Sequence, residues 1–278
     1  MTIFEAYQQA VKKLQDPELE EINIRILLCE NNGLKNMSEF YIRKDENVHD
    51  LERFNQDLQR FLSGEPVQYI IQKATFLDRD FYVSRDVLIP RNETEEVVVF
   101  AAKTIKRIFG EKNVNIADVC TGSGCIGLSL STMVKVNCLY LSDISQKALN
   151  VAKINAKNFK QKAMLKCGDA LEWVVNEKID VIISNPPYIL NKKDVDESVL
   201  KYEPHNALFV DENLTIYRKI ISRANELNVP LIIFEIGYDL VDKLSHVINE
   251  ITRNYKVEFI NDINKLPRIC VLTRVQFV

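Results

Sequence analysis

Asn115-Ile116-Ala117-Asp118-Val119-Cys120-Thr121-Gly122-Ser123-Gly124-Cys125-Ile126-Gly127 is a short apolar strand that runs straight into a G-x-G-x-x-G turn. Glycines at 122, 124 and 127 let backbone come close to a ligand where a strand hands over to a helix. A second strand, Asn137–Ser142, ends at Asp143, 21 positions after Gly122. That spacing suits an acid that accepts hydrogen bonds from a ribose. A plainer reading also exists, in which the glycines only allow a tight turn and Asp143 begins the cap of a helix at Ser145. Glycines and acid together predict a nucleoside-type cofactor on this loop.

Outward from the loop, strands and helices alternate. Further strands are expected at Met164–Cys167, Asp180–Ser184, Pro230–Glu235, Lys256–Ile260 and Ile269–Thr273, with helices at Ser145–Phe159, Asn213–Asn228 and Tyr238–Asn254. This rhythm predicts an α/β, Rossmann-like domain whose seven-stranded, mostly parallel sheet is covered on both faces. Ligands on such sheets bind beyond the C-terminal strand ends, at the topological switch point. Asn92 with Glu95 three residues on reads as a capping box opening a helix toward Gly110.

Before this domain the pattern is helical. Phe4, Tyr7, Val11 and Leu14 recur at helical spacing, and Leu51, Phe54, Leu58, Phe61 and Leu62 mark a longer helix closing at Gly64. Two alternating stretches, Gln68–Phe76 and Phe81–Leu88, flank the polar turn Asp78-Arg79-Asp80 and read as a β-hairpin. The expected organisation is a helical domain over 1–74, a hairpin linker over 75–91 and the α/β domain over 92–278.

The net charge is −3, and residues 1–74 carry nine basic against thirteen acidic side chains. No basic stripe is present, which argues against direct capture of nucleic acid. No apolar run approaches the roughly 20 residues of a membrane span, and the first residues lack the basic start and apolar core of a signal peptide. Six scattered cysteines without a C-x-x-C pair fit a reducing cytoplasm. Isolated histidines at 49, 205 and 246 give no metal-ligand spacing.

The fourth strand ends in Asn185-Pro186-Pro187-Tyr188. Proline supplies no N–H and pins φ, so the Asn185 side chain and the Pro186 carbonyl must find partners outside the strand. Two acceptors and an aromatic face fixed at a strand end suit a planar nitrogen group held against an electrophile. A strand-ending turn with a packing tyrosine is the bland alternative. The tetrapeptide also bears on the cofactor, because a dinucleotide enzyme has no use for it and amino-group methyl transfer does. S-adenosylmethionine adds a zwitterionic methionine to the nucleoside. Asp118 is then placed to pair with its ammonium, Cys120, Thr121, Gly122, Ser123 and Gly124 to cradle it, and Asp143 to bind its ribose. Asp169 and Ala170, after the third strand, are placed at its adenine, and Asn185 counts among the cofactor-binding residues as well.

These residues resemble the HemK/PrmC family of protein glutamine-N5 methyltransferases, over essentially the whole chain. The match includes Gly64-Glu65-Pro66-Val67-Gln68-Tyr69-Ile70, Phe76 to Val83 and Val87-Leu88-Ile89-Pro90-Arg91-Asn92-Glu93-Thr94-Glu95. It continues through the loop Asp118–Gly124 with Asp143-Ile144-Ser145, Asn185 to Ile189, Glu203-Pro204, Ala207-Leu208, Tyr217-Arg218 and Glu235-Ile236-Gly237. Cys120, Asn92 and Asp78 depart from a usual glycine, proline and glycine. The resemblance implies a class I S-adenosylmethionine-dependent methyltransferase fold. Its implied acceptor is the glutamine of the Gly-Gly-Gln loop of peptide chain release factors, with consequences for translation termination. It also implies a monomer, and the helical domain reads as a docking element for the substrate, with a purely stabilising cap open as the alternative. Asn185 and Pro186 are then the residues that hold the glutamine amide, Tyr188 packs on it, and Pro187 shapes the turn. Arg91 and Glu93 lie near enough to help form the site, while Trp173, Tyr69, Phe76 and Phe81 read as packing. The tetrapeptide is shared with adenine-N6 DNA or RNA methyltransferases, which stay open as an alternative at this point, as does a non-catalytic nucleotide-binding protein.

Overall fold

The computed structural model describes residues 1–277. Val278, the last residue of the expected 92–278 segment, and the side chains of Leu19 and Asp194 lie outside the described residues. The chain forms two compact units, Met1–Lys73 and Ala74–Val278.

The first unit is helical: α1 (Ile3–Val11), α2 (Pro17–Asn31), α3 (Met37–Ile42), α4 (Leu51–Leu62) and α5 (Val67–Ile71). Its helix starts are set by side chains that satisfy backbone amides left free in a first turn. Thr2 accepts from Glu5 N–H while Glu5 accepts from Thr2 N–H, Asn36 accepts from Glu39 N–H, and Asp50 accepts from Arg53 N–H. Ile3, Ala6 and Ala10 face the core with Ile24, Leu28, Phe40, Phe54 and Leu58. Phe4, Tyr7 and Val11 flank that face, half-buried.

The expected strand over Gln68–Phe76 is helix as far as Ile71 and strand only from Lys73. Pro66 enters at φ −55° and Gln72 stops α5 in the left-handed region at φ 55°. Val67 and Ile70, three apart, both bury their side chains, so a helical spacing wins over the alternation that suggests a strand. Extended chain is confined to β1 (Lys73–Phe76) and β2 (Arg79–Tyr82). Their turn is Leu77-Asp78, at φ 48° and 57°, the pair of positive φ values that a two-residue hairpin favours. Arg79, expected in the turn, is already in β2. Phe76 and Phe81 meet edge-on, with ring centroids 6.0 Å apart, in the packing role expected of them.

The helix α6 (Asn92–Phe109) begins one residue earlier than a cap at Asn92 would allow, and Arg91 occupies the cap position without a side-chain bond. The expected capping box is therefore absent. Glu95 accepts instead from Leu77 N–H at 2.8 Å, because the hairpin turn presents an amide that its own ladder cannot satisfy.

The sheet comprises β3 (Val114–Val119), β4 (Val136–Asp143), β5 (Met164–Cys167), β6 (Val181–Ser184), β7 (Leu231–Glu235), β8 (Tyr255–Asn261) and β9 (Pro267–Arg274), in the order β5-β4-β3-β6-β7-β9-β8. The first five run parallel, and β9 is antiparallel to both its neighbours. The connecting helices include α7 (Cys125–Met133), α8 (Gln146–Asn158), α9 (Glu197–Tyr202), α10 (Thr215–Glu226) and α11 (Val241–Ile251). The β6 and β7 side chains are buried throughout, as both-face coverage requires. After β3 the chain adds strands on one side, and from β6 onward on the other. The switch point therefore lies between the tips of β3 and β6, where Val119 pairs with Ser184. No helix among the described residues is long and apolar enough to cross a membrane.

Candidate active site

The loop that leaves β3 is strongly curved. Cys120, Gly122 and Gly124 take φ values of 60°, 54° and 81°, a region that costs a residue with a Cβ about 1–2 kcal/mol. This explains why a glycine would be at home at position 120. Gly127 serves a different end. A Cβ there would lie 2.7 Å from a Leu141 methyl and 2.9 Å from Asp118, so its absence lets α7 close onto β3.

Asp118 is fully buried beneath this loop. Its Oδ2 accepts from the Thr121 hydroxyl at 2.7 Å and from Gly127 N–H at 2.8 Å, while Oδ1 is buried without a partner. Burial pushes the carboxyl up to about 7, against the pull of those two bonds, and the charge of Asp143 adds to the rise. The residue braces the loop from behind. Asp143, at the tip of β4, accepts from Gly122 N–H at 3.0 Å and from Ser145 N–H at 2.9 Å, and burial raises its carboxyl too. The cap of α8 falls to the Ser145 hydroxyl, which accepts from Ala148 N–H. Asp143 thus ties two turns together, and each oxygen keeps a second lone pair for another donor.

The loop opens into a cleft of about 730 Å³, lined among others by Cys120, Thr121, Gly122, Ser123, Asp143, Asn185 and Pro187. A second hollow of about 810 Å³ shares Cys120, Asp143 and Pro187 with it and reaches Gly168, Asp169 and Ala170. The expected cofactor residues are thus gathered along one trough, apart from Asp118 behind the loop and Gly124 at its end, which line neither hollow. Asp169 is at the trough but ion-paired with Lys219. Trp173 packs on Tyr140 with ring centroids 5.1 Å apart, and its indole N–H donates to the Ala170 carbonyl.

Across the trough stands the β6 tip. Asn185 is half-buried and its Nδ2 donates to the Thr94 hydroxyl at 3.4 Å. Pro186 is buried beyond the last ladder residue, Ser184. Burial, followed by the nearby Glu235 charge, raises the Tyr188 hydroxyl to about 12, which keeps it protonated. A Cβ at Gly237 would lie 3.2 Å from the Tyr188 ring, so that glycine allows the β7 exit to pass close by. Ile189 exchanges backbone bonds with Leu208 and Val210, which anchors the far side of the tetrapeptide.

Three residues without a role in the sequence reading shape this end. Glu203, nearly fully buried, accepts from Arg91 at 2.6 Å and from Ile89 N–H at 3.3 Å. Arg91 thus lines the cleft while clamped to the segment after β6. Thr94, 2% exposed, and Glu235, 1% exposed, stand behind Asn185. Burial foremost pushes the Glu235 carboxyl up to about 7; Thr94, Arg268 and Asn185 oppose this and Glu93 adds to it. Glu235 Oε2 is buried without a hydrogen-bond partner.

The trough suits S-adenosylmethionine. It offers a strained loop that exposes backbone and acids at successive strand tips. Among the described residues no cluster of three or more His, Cys, Asp or Glu is arranged to hold a metal.

Sheet order, loop and trough define a class I S-adenosylmethionine-dependent methyltransferase. The fold is shared with the ribosomal protein L11 methylase of Lactobacillus delbrueckii subsp. bulgaricus (TM-score 0.50, 17% identity, 69% of this chain and 83% of that one). It is shared also with the hMettl16 catalytic domain in complex with the MAT2A 3'UTR hairpin 6 (TM-score 0.54, 13% identity, 69% and 74%). Residues 100–204 match the methyltransferase small domain, and residues 5–71 match the PrmC N-terminal domain. The release factor glutamine methyltransferase of Staphylococcus aureus is 38% identical over 225 residues, covering 78% of this chain and 79% of the relative. That of Bacillus subtilis is 34% identical over 287 aligned positions, covering 98% of each. The chain belongs to the release factor glutamine methyltransferase family.

Proposed function

We propose that this protein transfers a methyl group from S-adenosylmethionine to the side-chain amide nitrogen of a glutamine, that of the Gly-Gly-Gln loop of a peptide chain release factor, and so modulates translation termination. The observation that carries this reading is the β6 tip, where Asn185 and Pro187 line one cleft with the glycine loop. When bound, S-adenosylmethionine supplies an electrophilic methyl carbon on a sulfonium. The loop Cys120–Gly124 would cradle it, Asp143 would bind the ribose, and Asp169 and Ala170 would border the adenine, with Asp118 bracing the loop from beneath.

An amide nitrogen is a poor nucleophile because its lone pair is delocalised. The Asn185 side-chain oxygen and the Pro186 carbonyl each accept one of its N–H bonds, which favours a pyramidal nitrogen with the lone pair aimed across the trough. Fixed placement of this kind contributes about 7–11 kcal/mol in favourable cases. Pro187 holds the turn rigid. Tyr188 packs against the glutamine side chain, and its ring face favours nearby positive charge by about 0.5–2 kcal/mol. The amide proton leaves to water.

The helical unit is assigned to docking the release factor. The protein is taken to act as a monomer. The six cysteines are all free, in keeping with a reducing cytoplasm. Without a basic stripe the substrate is protein, not nucleic acid. Incubation of the protein with a release factor, DNA or RNA and isotope-labelled S-adenosylmethionine tests this. Peptide mass spectrometry is expected to place the label on a release-factor glutamine; label on nucleic acid alone would overturn the reading.

A further inference from the structure

We infer that Glu235, acting through Thr94, holds the Asn185 carboxamide with its NH2 turned inward and its oxygen turned to the acceptor. Both are thus positioning residues for glutamine methylation. The inference rests on the proposed role of Asn185 and deepens it.

The argument is one of donors and acceptors. A carboxamide can be turned over about its last bond with little change in shape, and only one of the two orientations presents an oxygen to the substrate. Behind Asn185 lie a buried carboxylate, which when charged only accepts, and a buried hydroxyl whose presence favours that charge. With Oγ1 accepting from Asn185, the single Thr94 proton is left for the charged carboxylate, and Thr94 then only accepts from Asn185. Both groups therefore require the NH2 of Asn185, and Nδ2 does donate to Thr94 Oγ1 at 3.4 Å. The turned-over carboxamide would set its oxygen against two acceptors in a buried, low-dielectric site, where an unmatched polar pair is expensive. The three side chains come from α6, β6 and β7, so the arrangement is a product of tertiary packing.

Glu235 stands at the tip of an otherwise apolar strand. Around it are Arg268 of β9, Glu93 of α6, Tyr188 of the tetrapeptide, Tyr217 of α10 and Cys125 of α7. Of these Arg268 favours its charge and Glu93 opposes it. A protonated Glu235 can donate to Thr94, free the hydroxyl proton for the Asn185 oxygen, and so permit the inverted carboxamide.

The test compares wild type with Glu235→Gln, Thr94→Val and Thr94→Ser, all close in shape. Methylation of a release factor is followed at saturating S-adenosylmethionine, with cofactor affinity and Tm measured in parallel. Glu235→Gln and Thr94→Val are expected to lower kcat about 10–100-fold, the range that outer-shell partners cost at metal sites, with unchanged cofactor affinity. Thr94→Ser is expected to retain kcat. Wild-type kcat should rise with pH through about 7, and Glu235→Gln should lack this limb. Wild-type kcat in both Glu235→Gln and Thr94→Val would overturn the inference while leaving the proposed function intact. So would losses that track a fall in Tm or in cofactor affinity. A wild-type protein that methylates no glutamine would instead overturn the proposed function itself.

Discussion

Asp118 and Glu235 are two buried carboxylates at strand tips on opposite sides of the trough, and the chain supports them in different ways. Asp118 is held by Thr121 and Gly127, neighbours within its own loop. Glu235 has its charge favoured by Thr94, from a helix far away in sequence, and by Asn185, just past the end of another strand. Each keeps one oxygen without a partner and each is raised to about 7 by burial. The donor end of the site is thus built locally, so it comes ready-made with its motif. The acceptor end is assembled by the fold, so it depends on three elements arriving in register. Both spend stability on charge that function uses.

If the acceptor end does the placing, Asn185→Ala should lower turnover about 10²–10³-fold, the cost of removing one preorganised hydrogen-bonding group at a reacting centre. Cofactor affinity should hold within threefold or so on the same grounds, as isothermal titration can read. Equal turnover in that variant would erase the distinction between the two ends.

Stability against pH sharpens the comparison next. Glu235 has a folded value of about 7 against 4.5 for the ordinary group, so the folded protein holds an extra proton between those limits. Its contribution to stability is therefore greatest below the lower limit and lost as pH climbs through the window, by about 3 kcal/mol in all. Denaturant titrations from pH 4.5 upward should show Glu235→Gln gaining on wild type by roughly that amount near pH 8. A constant difference between the two proteins across the window would refute the burial cost.

At the donor end, Asp118→Asn should weaken S-adenosylmethionine binding about 10–100-fold, since a bond to a charged group contributes about 1.5–3 kcal/mol. Saturating the cofactor should restore turnover, in contrast to the Asn185 variant. The smallest effect is expected from Cys120→Gly. It removes a Cβ from a left-handed backbone, worth about 1 kcal/mol, partly offset by the greater entropy of an unfolded glycine. A slight rise in Tm with unchanged cofactor affinity would place the strain in the backbone alone.

The same contrast explains what could be read along the chain. The glycine loop, Asp143 and the Asn-Pro-Pro-Tyr turn are contiguous motifs whose backbone demands are visible residue by residue. The strand order follows from alternation, and Asp78 takes the positive φ that its place in the hairpin requires. Where two local rules competed, tertiary contacts decided. Val67–Ile71 satisfies both a strand and a helix pattern, and burial of Val67 and Ile70 selects the helix. Asn92 and Glu95 have capping-box spacing, but Leu77 N–H claims the Glu95 carboxylate. Likewise Asp169 sits at the trough as expected, yet Lys219, fifty residues on, holds it. Thr94 and Glu235 lie inside motifs that resemblance picks out, but nothing in either motif says that they meet behind Asn185.

The central claim is that the acceptor glutamine is gripped by the β6 tip. A crystal structure of this protein with S-adenosylhomocysteine and a release-factor peptide reads that grip directly. The account predicts the glutamine side-chain nitrogen within hydrogen-bond range of both the Asn185 carboxamide oxygen and the Pro186 carbonyl, with Nδ2 still facing Thr94. A glutamine seated elsewhere along the trough, or an Asn185 whose NH2 faces it, would contradict the account.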